Sequence, residues 1–181
     1  MATTKWVIDP THSEIGFKVK HMMFTNVSGK FDKYEATVET NGDDLTNSKI
    51  EFTAETGSVN TGDASRDAHL KTADFFDPEK FPQLKFVSTR FEKTANGEFE
   101  LQGQLTMHDI TKLVKLSVEY GGLMKDPWGN IKAAFSVTGK FNRKDWGLNW
   151  NAALEAGGLL VSEEVRINCE IQLVKQVLVE A

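Results

Sequence analysis

The chain has 181 residues, 40% of them hydrophobic and 26% charged, and a formal net charge of −5. That composition suits one soluble domain with a core large enough to need no covalent staples. The acidic balance, with no basic run longer than two residues, excludes a sequence-blind nucleic-acid binder.

The first ten residues, "MATTKWVIDP", carry no apolar core of a secretory signal, and no stretch approaches the roughly 18 apolar residues of a bilayer span. A lone Cys169 admits no internal disulfide. A cytoplasmic location without stable membrane insertion is therefore expected. Strand signals begin with "EIGFKVKH" (14–21), where Ile15, Phe17 and Val19 alternate with charged residues. His21 shares their parity and should point inward at the strand's end. His12 has the opposite parity, follows Pro10, and should anchor the approach to the strand.

A second strand is expected over 28–38, where the apolar parity slips from Phe31 to Tyr34; a β-bulge between those residues would absorb it. A third, over 48–55, follows the turn dipeptide Asn41-Gly42. The segment 61–82 breaks the period of two and should hold a short helix capped by Asp63 or Ser65, with Asp67 paired to Lys71. Pro82 ends it by forcing Phe81 extended. Strands over 84–91 and 98–105 flank Asn96-Gly97, the strongest short hairpin signal. Strands over 112–120 and 131–141 flank "DPWG", and the last runs over 165–173. Between them 143–163 again loses the rhythm.

Eight antiparallel strands with one apolar face pack as a sandwich or close into a barrel. An eight-stranded barrel is just wide enough to be filled by side chains or to hold one small ligand. Small inward residues, namely Gly29, Ala36, Ala54, Gly103, Ala133 and Gly139, suggest a slot. Its wall should include Phe17, Val19, His21, Phe31 and Phe52 from the first strands. Phe86, Leu101, Leu105, Leu116, Phe135 and Val137 would come from the later ones. Such a tube would hold a chain-like apolar guest, each methylene contributing about 0.8 kcal/mol before ordering costs.

Four motifs, "WVIDPTHSEIGFKVKHMMFTNVSGKF", "RDAHLKTADFFDPEKFP", "GQLTMHDITKLV" and "FNRKDWGLNWNAALEAGGLLVSEEV", spread over nearly the whole chain. Together they resemble the YceI-like family. That resemblance implies a single all-β domain over 1–181. The fold would be an extended eight-stranded antiparallel lipocalin-like barrel with a short helix in the 61–82 segment. It implies, as ligand, a polyisoprenoid, a polyprenyl quinone or another long-chain amphiphile, and for several members a homodimer. Two positions depart from the pattern. Asp109 stands where the family usually has Gly, which Asp's tolerance of the left-handed region accommodates. Leu113 stands where Pro is common.

The segment 61–82 also concentrates polar chemistry. Arg66 and His69 at the rim could meet a lipid head group, with Leu70 and Phe75 closing the barrel end and Arg66 paired to a nearby carboxylate. An alternative is an enzyme acting on the head group through Arg66, Asp67 and His69, but no nucleophile sits in a recognisable elbow. The expectation is binding without catalysis. A third alternative is an interaction module whose barrel is solid. His12, His21, His69 and His108 lack metal-site spacing, so neither metal nor cofactor is expected. In 143–163, Trp146 and Trp150 could form a portal. A covering loop stapled by an Arg143–Asp145 pair is favoured, because buried indoles usually pack.

Overall fold

A computed structural model describes residues 3–22, 24–152 and 160–176. Eleven strands form one antiparallel sheet: β1 (Thr3–Ile8), β2 (Glu14–His21), β3 (Thr25–Phe31), β4 (Tyr34–Asn41), β5 (Asp44–Glu55), β6 (Val59–Asn60), β7 (Gln83–Lys93), β8 (Phe99–Met107), β9 (Ile110–Lys125), β10 (Ile131–Asn142) and β11 (Glu164–Lys175). One helix, α1 (Ala64–Leu70), precedes β7. The order β1-β4-β5-β7-β8-β9-β10-β11 closes on itself through β1–β11, with Trp6 opposite Lys175 and Ile8 opposite Leu173. That is an eight-stranded barrel.

The remaining strands extend this ring at one end. β2 continues along the edge of β11 beyond β1, β3 pairs with β2, and β6 with β3. Each of the first three long strands is thus broken once: β1/β2 over 9–13, β3/β4 over 32–33 and β5/β6 over 56–58. Pro10 explains the first break, since proline cannot donate to the ladder. A 3-10 turn over Pro10–His12 fills it, and Asp9 accepts from Thr11 N. The other two are tied together, Asp32 N donating to Ser58 O at 3.1 Å and Glu55 N to Lys33 O at 2.9 Å.

This corrects two expectations. The parity slip between Phe31 and Tyr34 is a two-residue bend that splits the strand, not a bulge. β1 and β6 were not expected at all, so the ring keeps its eight strands with β1 closing it rather than β2. Register shifts do occur elsewhere, between Glu39 and Asn41, Ser88 and Arg90, and Ala134 and Phe135.

The turns follow their local chemistry. Gly42, Gly97 and Gly129 take positive φ of 59°, 80° and 87°, as two-residue and type I-based hairpin turns require. His108 and Asp109 both sit near +55°, at 53° and 57°, so the β8–β9 turn survives without glycine.

Inward residues alternate along each strand. Trp6, Val38, Phe86, Leu101, Leu105, Val118, Ala133, Val137 and Leu173 are all buried. The glycines do something other than leave a slot. A Cβ on Gly29 would lie 2.4 Å from Phe17 Cζ, one on Gly103 2.3 Å from Phe86 Cζ, and one on Gly139 2.4 Å from Leu116 Cδ2. Each glycine makes room for its neighbour's side chain to lie across it.

Candidate functional site

The barrel is hollow. A cavity of about 620 Å³ runs its length, lined from Trp6, Val38, Leu45 and Leu173 at one end to Thr61, Arg66, His69 and Val161 at the other. This volume falls within the roughly 300–1,000 Å³ typical of ligand sites, and it overturns the solid-barrel alternative. Phe17, Val19, His21, Phe31, Phe52, Phe86, Leu101, Leu105, Leu116, Phe135 and Val137 all face it. So do Arg66, His69, Leu70 and Phe75. Of the six small residues expected to form the slot, only Ala36 and Ala133 line it. The others are covered by neighbours, so the width comes from the strand ring itself.

Polar lining is segregated. At the end near the 41–44 turn, Thr40 and Ser48 are buried and already bonded, Thr40 Oγ1 accepting from Trp6 Nε1 at 3.1 Å and Ser48 donating to Leu45 O. Cys169 sits on the apolar wall, and burial pushes its thiol up to about 11, which makes it an inert hydrophobe. Among the described residues, the charged or titratable side chains on the wall besides Cys169 cluster at the α1 end: His21, Asp63, Arg66, His69 and Arg143. His21, Asp63, Ser65 and Arg66 are exposed there, which places the mouth at this end.

The mouth is assembled from α1, the β2–β3 end and the segment after β10. Asp63 caps α1, its carboxylate accepting from Arg66 N at 3.0 Å. Asp67 does not pair with Lys71. Its Oδ1 accepts from Thr61 N and Oγ1 at 2.8 and 2.6 Å, fastening the helix to the loop before it. Arg66 takes no carboxylate either; Nε donates to Thr61 Oγ1 and Nη2 to Thr61 O. Its guanidinium is folded back on the preceding loop. His69 Nε2 meets Asp74 Oδ2 at 2.9 Å, and its ring stands edge-on to Trp150 and Phe75, centroids at 4.7 and 5.2 Å.

These bonds scatter the residues of the proposed acid–base group. Arg66 and Asp67 are engaged with Thr61, while His69 faces Asp74, and among the described residues no hydroxyl or thiol bonds the His69 imidazole. No group of three metal-ligating side chains forms there either.

The segment after β10 divides between the two roles considered for it. Trp146 packs, 2% exposed, and donates to Leu105 O at 2.9 Å. Trp150 is on the cavity wall. The Arg143–Asp145 pair is absent. Arg143, 3% exposed, instead donates to Ser162 O, Leu148 O and Val161 O. Part of this segment, 153–159, lies outside the described residues. Sequence reasoning missed Arg143 as a lining residue because its partners are main-chain carbonyls, which carry no sequence signal.

The profile of the YceI-like domain family matches residues 6–173. A UPF0312 protein of Staphylococcus aureus is 34% identical over 170 residues, covering 93% of this chain and 96% of that protein. A YceI protein of Campylobacter jejuni, solved by crystallography, is 30% identical with a TM-score of 0.75, covering 93% and 96% of the two chains. A polyisoprenoid binding domain from Saccharophagus degradans, implicated in plant cell wall breakdown, shares the fold. It has a TM-score of 0.65 at 15% identity, over 94% of this chain and 98% of that one.

Proposed function

The chain belongs to the YceI-like domain family, and on that premise we propose that it binds one long-chain amphiphile, a polyisoprenoid or a molecule of similar shape, as a carrier or store without catalysis. The apolar tail lies along the shaft, and the head group rests at the α1 end beside Arg66 and His69. One observation carries this reading: the cavity is apolar for most of its length, and among the described residues its wall is charged only where it opens. An apolar guest gains about 0.8 kcal/mol for every methylene withdrawn from water. Hydrogen bonds are needed only at the head. The Saccharophagus domain, named for binding polyisoprenoid, supports the ligand class. The crowding of Arg66 and Asp67 onto Thr61 favours binding over acid–base chemistry.

The test is a narrowed shaft. Ala36 lines the cavity beside Phe52 of the adjoining strand β5, so Ala36→Phe places a ring where the tail would run. Affinity for a twenty-carbon prenyl alcohol should fall at least tenfold (about 1.4 kcal/mol), with circular dichroism showing the barrel intact. Unchanged affinity in the folded variant would refute a tail in the shaft.

A further inference from the structure

Arg143 is a buried cation that makes no ion pair with the described residues; Glu163 acts on it only from beyond ion-pair distance. It opens a 3-10 turn, Arg143–Trp146, directly after β10. Nε donates to Ser162 O at 2.9 Å, Nη1 to Leu148 O at 2.6 Å and Nη2 to Val161 O at 3.3 Å. Its Cζ lies 5.9 Å from the centroid of the Phe75 ring, and the side chain is part of the cavity wall. Those bonds use three of the five N–H groups a guanidinium carries, leaving one on each terminal nitrogen.

The surrounding carboxylates are otherwise engaged. Asp74 meets His69 at 2.9 Å, Glu163 meets Lys144 at 2.8 Å, Asp67 accepts from Thr61, and Asp63 caps α1. Among the described residues no carboxylate lies within ion-pair distance of Arg143. Carbonyls take three of its donors but bring no net charge, and a guanidinium cannot shed its proton to escape the cost of burial. Among the described residues the wall at this end therefore holds two guanidiniums, Arg143 and Arg66, against the one carboxylate of Asp63.

We propose that the missing charge comes from the ligand. Arg143 anchors an anionic head group, a carboxylate or a phosphate, and so makes the cavity select acid-headed long-chain amphiphiles over neutral ones of equal length. This rests on the shaft-binding reading above and narrows it. The two terminal N–H groups left free suit a bidentate oxyanion, and His69, whose ring also packs against Phe75, marks where the head meets the mouth.

Matched pairs test it at pH 8, where an ordinary imidazole is neutral: hexadecanoate against hexadecanol, and geranylgeranyl phosphate against geranylgeraniol. The anion of at least one pair should bind wild type at least tenfold more tightly than its alcohol, and the pair with the larger ratio identifies carboxylate or phosphate. Arg143→Gln should erase the preference. Because Arg143 also staples the segment around it, a merely structural loss would weaken both members of a pair alike. Arg143→Lys, which keeps the charge but cannot span three carbonyls, should retain part of the preference even if its Tm falls.

A second readout uses carboxyl-¹³C hexadecanoate. Its bound carboxyl should titrate below the free acid in wild type and move up in Arg143→Gln. Equal affinities within both pairs, or a bound carboxyl titrating at or above the free value, overturns the proposal while leaving shaft binding intact. Failure of all four molecules to bind overturns both.

Discussion

Along the shaft the wall residues stand on strands held by main-chain ladders on both sides, whereas at the α1 end much of the wall is a short helix and loops pinned by individual side chains. Phe86, Leu105 and Ala133 are placed by the pleat alone. Arg66, His69, Trp150 and Arg143 are placed by bonds to Thr61, Asp74 and three carbonyls, and by ring contacts. The first construction is cooperative and should fail only with the whole barrel. The second can loosen locally, as a mouth that admits a long guest must.

Substitutions can break or sharpen that contrast. Trp6 is 2% exposed and donates to Thr40 across the β1–β4 pair. Trp6→Ala should cost about 3–5 kcal/mol, seen as one cooperative shift of the urea midpoint with every probe moving together. Gly103→Ala comes next. Its Cβ would meet Phe86 Cζ at 2.3 Å and the Val87 carbonyl oxygen at 2.6 Å, so either ring or backbone must move, at about 1–3 kcal/mol, again globally.

Asp9 tests the break between β1 and β2. Burial alone would raise its pKa, but hydrogen bonds from Lys132, His12 and Thr11 hold it well below the ordinary carboxylate range. Lys132 Nζ lies 2.8 Å from Oδ2, which ties the break to β10. A folded pKa below the unfolded one, about 3.9, gives stability that is fully present above the unfolded value and is lost as pH falls through the folded one. Asp9→Asn should therefore cost about 1–2 kcal/mol at pH 7. The gap to wild type should shrink steadily below about pH 4; a gap that stays constant would show that the charge is not what matters.

The smallest effect belongs to the mouth. Asp63→Ala removes the cap of α1 and should cost about 1 kcal/mol, confined to faster amide exchange over 64–71 while the urea midpoint holds. If the midpoint falls with it, shaft and mouth are one cooperative unit and the contrast is wrong.

The same contrast explains what could be read from the chain. Period-two alternation places Phe17, Leu101, Leu105 and Val137 on the cavity wall because a pleated strand admits only two faces. Family motifs and capping chemistry place α1 and its Asp63 cap. Pairing by charge fails at the rim: Asp67 binds Thr61 rather than Lys71, and Arg143 binds carbonyls rather than Asp145. Local hydrogen bonds to backbone compete with ion pairs, and exposed pairs are worth too little to win. β1 escapes notice because "TTKWVI" is short and only half alternating, its place fixed by barrel closure against Leu173–Lys175. The glycine misreading has a similar root, since what fills the space over a glycine lies on the neighbouring strand.

The central claim is an amphiphile in the shaft, and native mass spectrometry of protein incubated with vesicles containing a long-chain polyprenyl lipid tests it most directly. The account predicts a single added mass of one lipid per chain in wild type, lost in Ala36→Phe. A spectrum of bare protein after saturating exposure, or an adduct undiminished in that variant, would contradict it.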